Sequence, residues 1–236
     1  MSIVHGVIDD SDITARILFP TREKEPFLPF ERFAESVATS RKKGDLHAHL
    51  GQEVVTYVLE GTVDHEYGAG VHDNLTPGSI LVLTASQEVR HALTMEKGHT
   101  ARWLSIVARL PGLTGLAPSS LKIRTPESAP VGSDGAARTS LIGPNGAVPS
   151  SAGLELTDIA FAKRGSAFFR LGHDRRGLVY VLHGTGSVDD HELELGHGAL
   201  LENMSAISIQ GEAGYRIALA SVPRSGPESS SGGAGN

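Results

Sequence analysis

Apolar and polar positions along this chain alternate in short runs punctuated by glycine and proline, and no long stretch keeps the spacing of a helix. Residues 54–59 are β-branched and aromatic and stop at Gly61, the pattern of a strand. Residues 62–66 continue as a second strand, and Gly68, Ala69 and Gly70 read as a hairpin turn. Thr76, Pro77 and Gly78 have the order of a tight turn and lead into residues 79–84, apolar enough to be buried on both faces. Residues 101–110 make another strand, stopped by Pro111 and Gly112. Further strands are expected at 154–162, 167–171, 177–183, 191–195, 199–203, 206–210 and 215–222. The pattern is weakest over residues 1–43, where Pro20, Pro26 and Pro29 break short apolar pieces such as 15–19 and suit edge strands and turns. Within that region residues 31–37 read as one or two helical turns.

Between the two strand-rich halves, residues 111–153 are rich in Pro, Gly, Ser and Ala, a linker composition. Turn signals at Asp134-Gly135 and at residues 144–146 bracket a short strand at 138–142. Residues 225–236, rich in Gly and Ser, are expected to be disordered. The halves are related: residues 56–62 recur as 179–185, a shift of 123, and each copy is followed by a strand, a turn ending in glycine (Gly78, Gly196) and a second apolar strand. Duplication of one β-barrel accounts for the length, the linker and the likeness together. The expected architecture is all-β with two tandem barrels: an N-terminal barrel over 1–112, a linker and crossover over 113–153, a C-terminal barrel over 154–224 and a tail over 225–236.

Composition narrows the chemistry. The 236 residues carry 21 basic and 27 acidic side chains, a net charge of -6, and the cluster Arg41-Lys42-Lys43 is too short to read as a nucleic-acid site. There is no cysteine, which excludes disulfides, thiolate catalysis, iron–sulfur clusters and cysteine-held zinc, so any metal must sit on His, Asp or Glu. No apolar stretch approaches the ~20 residues that cross a bilayer, and Asp9, Asp10 and Asp12 stand where a signal peptide would be cationic and then apolar. A soluble cytoplasmic protein with no membrane or nucleic-acid partner is expected.

Candidate chemistry centres on His47 and His49, whose spacing on an extended strand sends both imidazoles to one face and makes half of a metal site. Glu53 shares their parity if the strand runs straight through Gly51, where the chain can also bend. Tyr57 and Leu59 share it too and would line the cavity, against the plainer reading of core packing. At the shift of 123, His47, His49 and Glu53 fall on Arg170, Gly172 and Arg176, and at the shift set by the glycine turns His91 falls on Ile209. The second copy thus keeps the fold without the candidate ligands, which points to a local role for the first set. His65 reads as structural or as standing behind the ligands, and His72 and His99 as solvated in turns. His173, His183, His191 and His197 form no constellation.

Residues 44–61, in which two histidines, three residues and a glutamate precede a strand ending in glycine, resemble the first cupin motif, and Pro77-Gly78 with His91 resembles the second. More narrowly, residues 47–70 followed by 75–86 and 89–92 resemble the pirin family of bicupins, as do residues 26–33 and the crossover around Asp134-Gly135. The resemblance implies two cupin (double-stranded β-helix, or jelly-roll) barrels, the first holding one metal, usually iron, and the second closed and metal-free. The family's usual ligands are the two histidines of the first motif, a later histidine and a glutamate two residues beyond it. The first three map to His47, His49 and His91, and the fourth maps to Leu93, which cannot bind metal. Either three histidines and waters make the site, or Glu53, at the general cupin spacing, completes it as ligand or acts as catalytic base; its plainer reading is a rim residue in an ion pair. Ser105 and Val107 stand where pirins tend to carry Gln and Trp, so a pocket including Leu93 and Ser105 is expected to be remodelled.

The activity implied is that of a metal-dependent dioxygenase, with Fe(II) foremost and Ni, Cu, Mn or Zn as alternatives. Its substrate would be a small enolic, phenolic or polycyclic aromatic molecule together with dioxygen, since some pirin-like bicupins cleave flavonols such as quercetin. Two other readings are a non-catalytic, metal-responsive protein that binds a protein partner, and a cupin cyclase or isomerase that uses the metal as a Lewis acid without oxygen.

Overall fold

The computed structural model describes residues 1–9, 14–38, 46–68, 70–95, 99–112 and 118–224. The basic cluster at 41–43, Ala69 of the expected hairpin turn and the expected disordered tail at 225–236 lie outside these residues. The described residues form strands and no helix. In chain order they are β1 (Ser2–His5), β2 (Val7–Asp9), β3 (Thr14–Phe19), β4 (Phe30–Ala38), β5 (His47–His49), β6 (Gln52–Glu60) and β7 (Val63–Tyr67). Next come β8 (Val71–Leu75), β9 (Ile80–Ala85), β10 (Val89–Thr94), β11 (Ala101–Arg109), β12 (Ser120–Arg124), β13 (Ala136–Ile142) and β14 (Glu155–Phe161). The last are β15 (Gly165–Arg170), β16 (Arg175–His183), β17 (Thr185–Val188), β18 (His191–Glu194), β19 (His197–Leu201), β20 (Ala206–Gly211) and β21 (Arg216–Pro223).

Each half pairs a large sheet with a four-stranded one. The first has the orders β12-β9-β6-β11-β4-β3-β2 and β5-β10-β7-β8, and the second β1-β19-β16-β21-β14-β13 and β15-β20-β17-β18. The recurring stretch supplies β6 in one and β16 in the other, each flanked on both sides by partners, so its β-branched backbone is fully laddered. Three elements differ from the sequence expectations. Residues 31–37 are not helical turns but part of β4, because pairing with both β3 and β11 while Phe30, Phe33 and Ala34 are buried outweighs a weak local preference. Within the stretch of linker composition, β12 pairs with β9 and packs Leu121 and Ile123 onto the first barrel's interior. At the other end β1 leaves its sequence neighbours and pairs with β19 in the second half.

The apolar residues sort into three layers. Val54, Val58, Leu81, Leu83 and Trp103 fill the first barrel with Val63, Leu75 and Val89, and Ile159, Val179, Val181 and Ile209 fill the second with Val188 and Leu193. The third layer joins them: Val55, Tyr57, Leu59, Val82 and Ile106 from the first large sheet meet Leu156, Leu178, Tyr180, Leu182 and Ala220 from the second. This is why residues 80–85 carry no polar face, since one side fills the barrel and the other the joint. Buried polar ties cross the joint as well. Glu35 accepts hydrogen bonds from Tyr180 Oη at 2.5 Å, from Arg16 Nη1 at 3.1 Å and from Arg102.

The registers show what the second barrel carries at the positions of the first barrel's histidines. Val188 stands as far beyond Gly184 as His65 does beyond Gly61, and Val188 pairs with Ile209 as His65 pairs with Leu93. Stepping back two residues, Ile207 answers to His91, and its partner Phe169 answers to His47, with Leu171 in place of His49. These counterparts correct the assignment to Arg170, Gly172 and Ile209, because the connection from β15 to β16 is longer than that from β5 to β6, while the stretch from Gly196 to β20 is shorter than that from Gly78 to β10. Two positions beyond the Val188 and Ile209 pair, buried Tyr215 lays its ring where a Cβ on Gly186 or Gly211 would come within 2.5 or 2.6 Å.

Candidate metal centre

Strand β5 is an edge of the small sheet and pairs with β10, setting His47 opposite His91 and His49 opposite Val89. The two-residue spacing keeps both β5 imidazoles on the face shared with His91. Ring centroids lie 4.9 Å apart for His47 and His49, 4.5 Å for His47 and His91, and 5.0 Å for His49 and His91. One ring nitrogen from each lies within 4.8 Å of the others, and among the described residues this is the one group of three or more potential metal ligands so placed. His47 is exposed, His49 half-buried and His91 buried, so the group opens to solvent on one side.

Burial favours the neutral, cation-donating form of His49 and His91. Burial, with the neighbouring His47, His49 and His65 adding to it, pushes His91 down to about 3. Burial likewise lowers His49 and His65. The Nε2 atoms of His49 and His91 are 3.1 Å apart, a spacing that suits two nitrogens each about 2.0–2.1 Å from one shared cation. A set of three imidazole nitrogens of this kind fits a divalent transition metal.

Other predicted residues fall elsewhere. Glu53 is not brought to the histidines: it is fully buried against the crossover, accepting hydrogen bonds from Ser150 Oγ, from Ser151 N at 2.7 Å and from Thr84 Oγ1 at 3.4 Å. Burial raises its pKa even so. Tyr57 and Leu59 face the joint between the barrels rather than a cavity. There Tyr57 Oη donates to Asp158 at 2.5 Å and accepts from Arg216 Nη2 at 3.0 Å. One residue causes all three departures. Gly51 takes φ +70° and ties its N–H to the Ala85 carbonyl at 2.7 Å, so the alternation begun at His47 does not carry into β6. The positions that face the barrel interior are therefore Val54 and Val58, not 53, 57 and 59.

Ser105 stays on the interior side, half-buried between Trp103 and Val107 and paired in register with Thr56. Leu93, two residues beyond His91 on β10, packs partly buried against the same interior.

A family model described as Pirin matches residues 15–105. A Pseudomonas aeruginosa protein provisionally named quercetin 2,3-dioxygenase is 28% identical over 215 residues, covering 84% of this chain and 75% of that protein. A protein of Caulobacter vibrioides named pirin-like is 24% identical over 208 residues, covering 83% and 74%. Among solved structures, a bacterial pirin of Escherichia coli in complex with nickel(II) superposes with a TM-score of 0.82 at 17% identity, over 94% of this chain and 98% of that one. The chain is thus similar to pirins over residues 15–105 and shares the fold of solved pirin structures.

Two contacts stand behind this centre, of which the sequence suggested one. Fully buried His65, opposite Leu93 in register, places its Nε2 3.2 Å from His91 Nδ1, while its own Nδ1 has no partner among the described residues. Gln52, just past the Gly51 bend, reaches back with Oε1 to His49 Nδ1 at 2.5 Å. The first was open to suspicion as a histidine on the next strand; the second carried no signal, since its approach depends on the bend. Both contacts fall on Nδ1, leaving the Nε2 atoms of His49 and His91 to face each other.

Proposed function

We propose that this protein is a metal-dependent oxygenase, holding iron(II) on His47, His49 and His91 and acting on a small enolic or phenolic molecule in a flavonol-dioxygenase-like reaction. The observation that carries the reading is the convergence of three imidazoles with a leucine, Leu93, at the position of the family's fourth ligand. When bound, the metal would supply Lewis acidity and open coordination positions for an oxygen-rich substrate and dioxygen. The relatives' names support the reaction class, and the nickel(II) complex of the E. coli pirin supports a divalent metal.

The chain's own contribution is binding, orientation and dryness. His91 and His65, both buried, make a rigid inner wall, and exposed His47 leaves the approach from solvent open. Leu93 offers apolar surface for a planar ring, and Ser105 offers a hydroxyl for hydrogen bonding. Glu53 is engaged by Ser150 and Ser151, so we assign it no role as ligand or base. A substrate hydroxyl would then release its proton to water at the mouth, and the acid limb of kcat/KM should follow the substrate's own hydroxyl pKa across a substrate series.

Oxygen uptake by the iron(II)-loaded protein with a flavonol such as quercetin tests the proposal. Uptake matched to substrate loss, abolished in His91→Ala together with the bound metal, supports it. Product formed under strict anaerobiosis would instead favour Lewis-acid isomerisation. A metal-replete protein inert to phenols and enols would remove the enzymatic reading.

A further inference from the structure

Behind His49 stands a chain of polar groups that ends in a charge. His49 Nδ1 is 2.5 Å from Gln52 Oε1, Gln52 Nε2 donates to Glu31 Oε2 at 2.5 Å, and Arg109 Nε donates to Glu31 Oε1 at 2.7 Å. The elements that carry these residues are far apart in sequence. Glu31 lies on β4, Gln52 opens β6 and Arg109 closes β11. The registers Arg109↔Gln52 on one side and Val107↔Arg32 on the other bring the three together at one end of the large sheet.

We infer that Glu31 and Gln52 are positioning residues that fix which nitrogen of His49 is offered to the metal, an inference that rests on the three-histidine site proposed above. An ionised carboxylate can only accept hydrogen bonds. Glu31, ion-paired with Arg109, therefore requires the NH2 end of Gln52 to turn towards it. The amide's oxygen then faces His49, and an oxygen there accepts only from an N–H. His49 must carry its proton on Nδ1, which leaves the Nε2 lone pair directed at His91 Nε2 and the shared ligand position. With the amide reversed, its NH2 would donate to Nδ1, the proton would move to Nε2, and the atom that faces the metal could not bind it. One half-buried carboxylate thus sets an amide orientation, and the amide sets a tautomer.

Metal competition titrations with a chromogenic chelator, using Co(II) and Zn(II), read the effect without turnover. Glu31→Gln removes the acceptor-only group and lets Gln52 reverse; Gln52→Leu removes the relay. Each is expected to weaken metal binding about 10- to 100-fold, the usual range for groups that orient a metal-bound histidine, while melting of the metal-free protein stays close to wild type. In the double variant Glu31→Gln with Gln52→Glu, a carboxylate accepts directly from His49 Nδ1 with an amide behind it, and affinity should return to within a fewfold of wild type. The 15N NMR spectrum of the Zn-loaded wild type should show the His49 proton on Nδ1. Wild type that binds metal while both single variants bind within twofold of it, or a His49 proton on Nε2, overturns the inference. Wild type that binds no metal overturns the site itself, a different result. If a single variant melts early without metal, the rescue pair decides: equal melting loss without recovered affinity counts against positioning.

Discussion

Removing the titratable group at position 91 in His91→Asn should flatten the acid side of the metal-free protein's stability curve. In the folded chain His91 is 2% exposed and its pKa is pushed from an ordinary value near 6.5 down to about 3, chiefly by burial and then by the other histidines. The folded state thus prefers the neutral ring and the unfolded chain does not. The stabilising contribution is complete above pH 6.5 and is lost as pH falls towards 3, because the unfolded state takes up the proton first. Between pH 7 and pH 4 the loss from this one group is about 3 kcal/mol, following 1.36 kcal/mol per pH unit once below the unfolded pKa. Urea denaturation of wild type and His91→Asn at half-unit intervals over that range, with chelator present throughout, isolates the term, since the carboxylates common to both proteins cancel in the difference. The difference in stability should shrink by about 3 kcal/mol on going to pH 4. Parallel curves would show that His91 titrates normally in the folded chain and that the centre is wetter than its burial implies.

Four further outcomes follow. Tyr57→Phe removes a hydroxyl hydrogen-bonded to Asp158 and Arg216 in the joint and should cost roughly 1.5–3 kcal/mol by urea denaturation while leaving metal stoichiometry unchanged; lost metal would mean that Tyr57 serves the centre after all. Glu53→Gln should likewise keep full metal content and turnover within about tenfold, and a fall of a hundredfold or more would restore it as ligand or base. Gly211→Ala forces a Cβ to 2.6 Å from the Tyr215 ring, an overpacking worth about 1–3 kcal/mol, visible as a lower Tm with no change at the first barrel's metal. Leu93→Glu places a carboxylate on the His91 side of β10 and should tighten Co(II) binding at least tenfold by competition titration; unchanged affinity would mean that position 93 does not reach the cation.

Much of this fold was legible because strands leave a short-range signature. The runs at 54–59, 79–84 and 101–110, together with the repeat at a shift of 123, are enough to call two β-barrels. What the pattern missed was set at long range. β4 is a strand because of β3 and β11, β12 exists only against β9, and β1 crosses to the far barrel. A segment of nine residues or fewer with mixed polarity gives no sign of a partner distant in the sequence.

The candidate site divides along the same line. Residue type and spacing alone singled out His47 and His49, the missing counterparts in the second copy, the absence of cysteine ligands and, by resemblance, His91 and the leucine at 93. Those are properties of which atoms the chain possesses. Tertiary structure decided where they point: Gly51 at φ +70° breaks the alternation, turns Glu53 towards the crossover and Tyr57 towards Asp158, and brings Gln52 behind His49. A parity argument holds only while the backbone stays extended, and one residue in the left-handed region is enough to send every side chain after it to the other face.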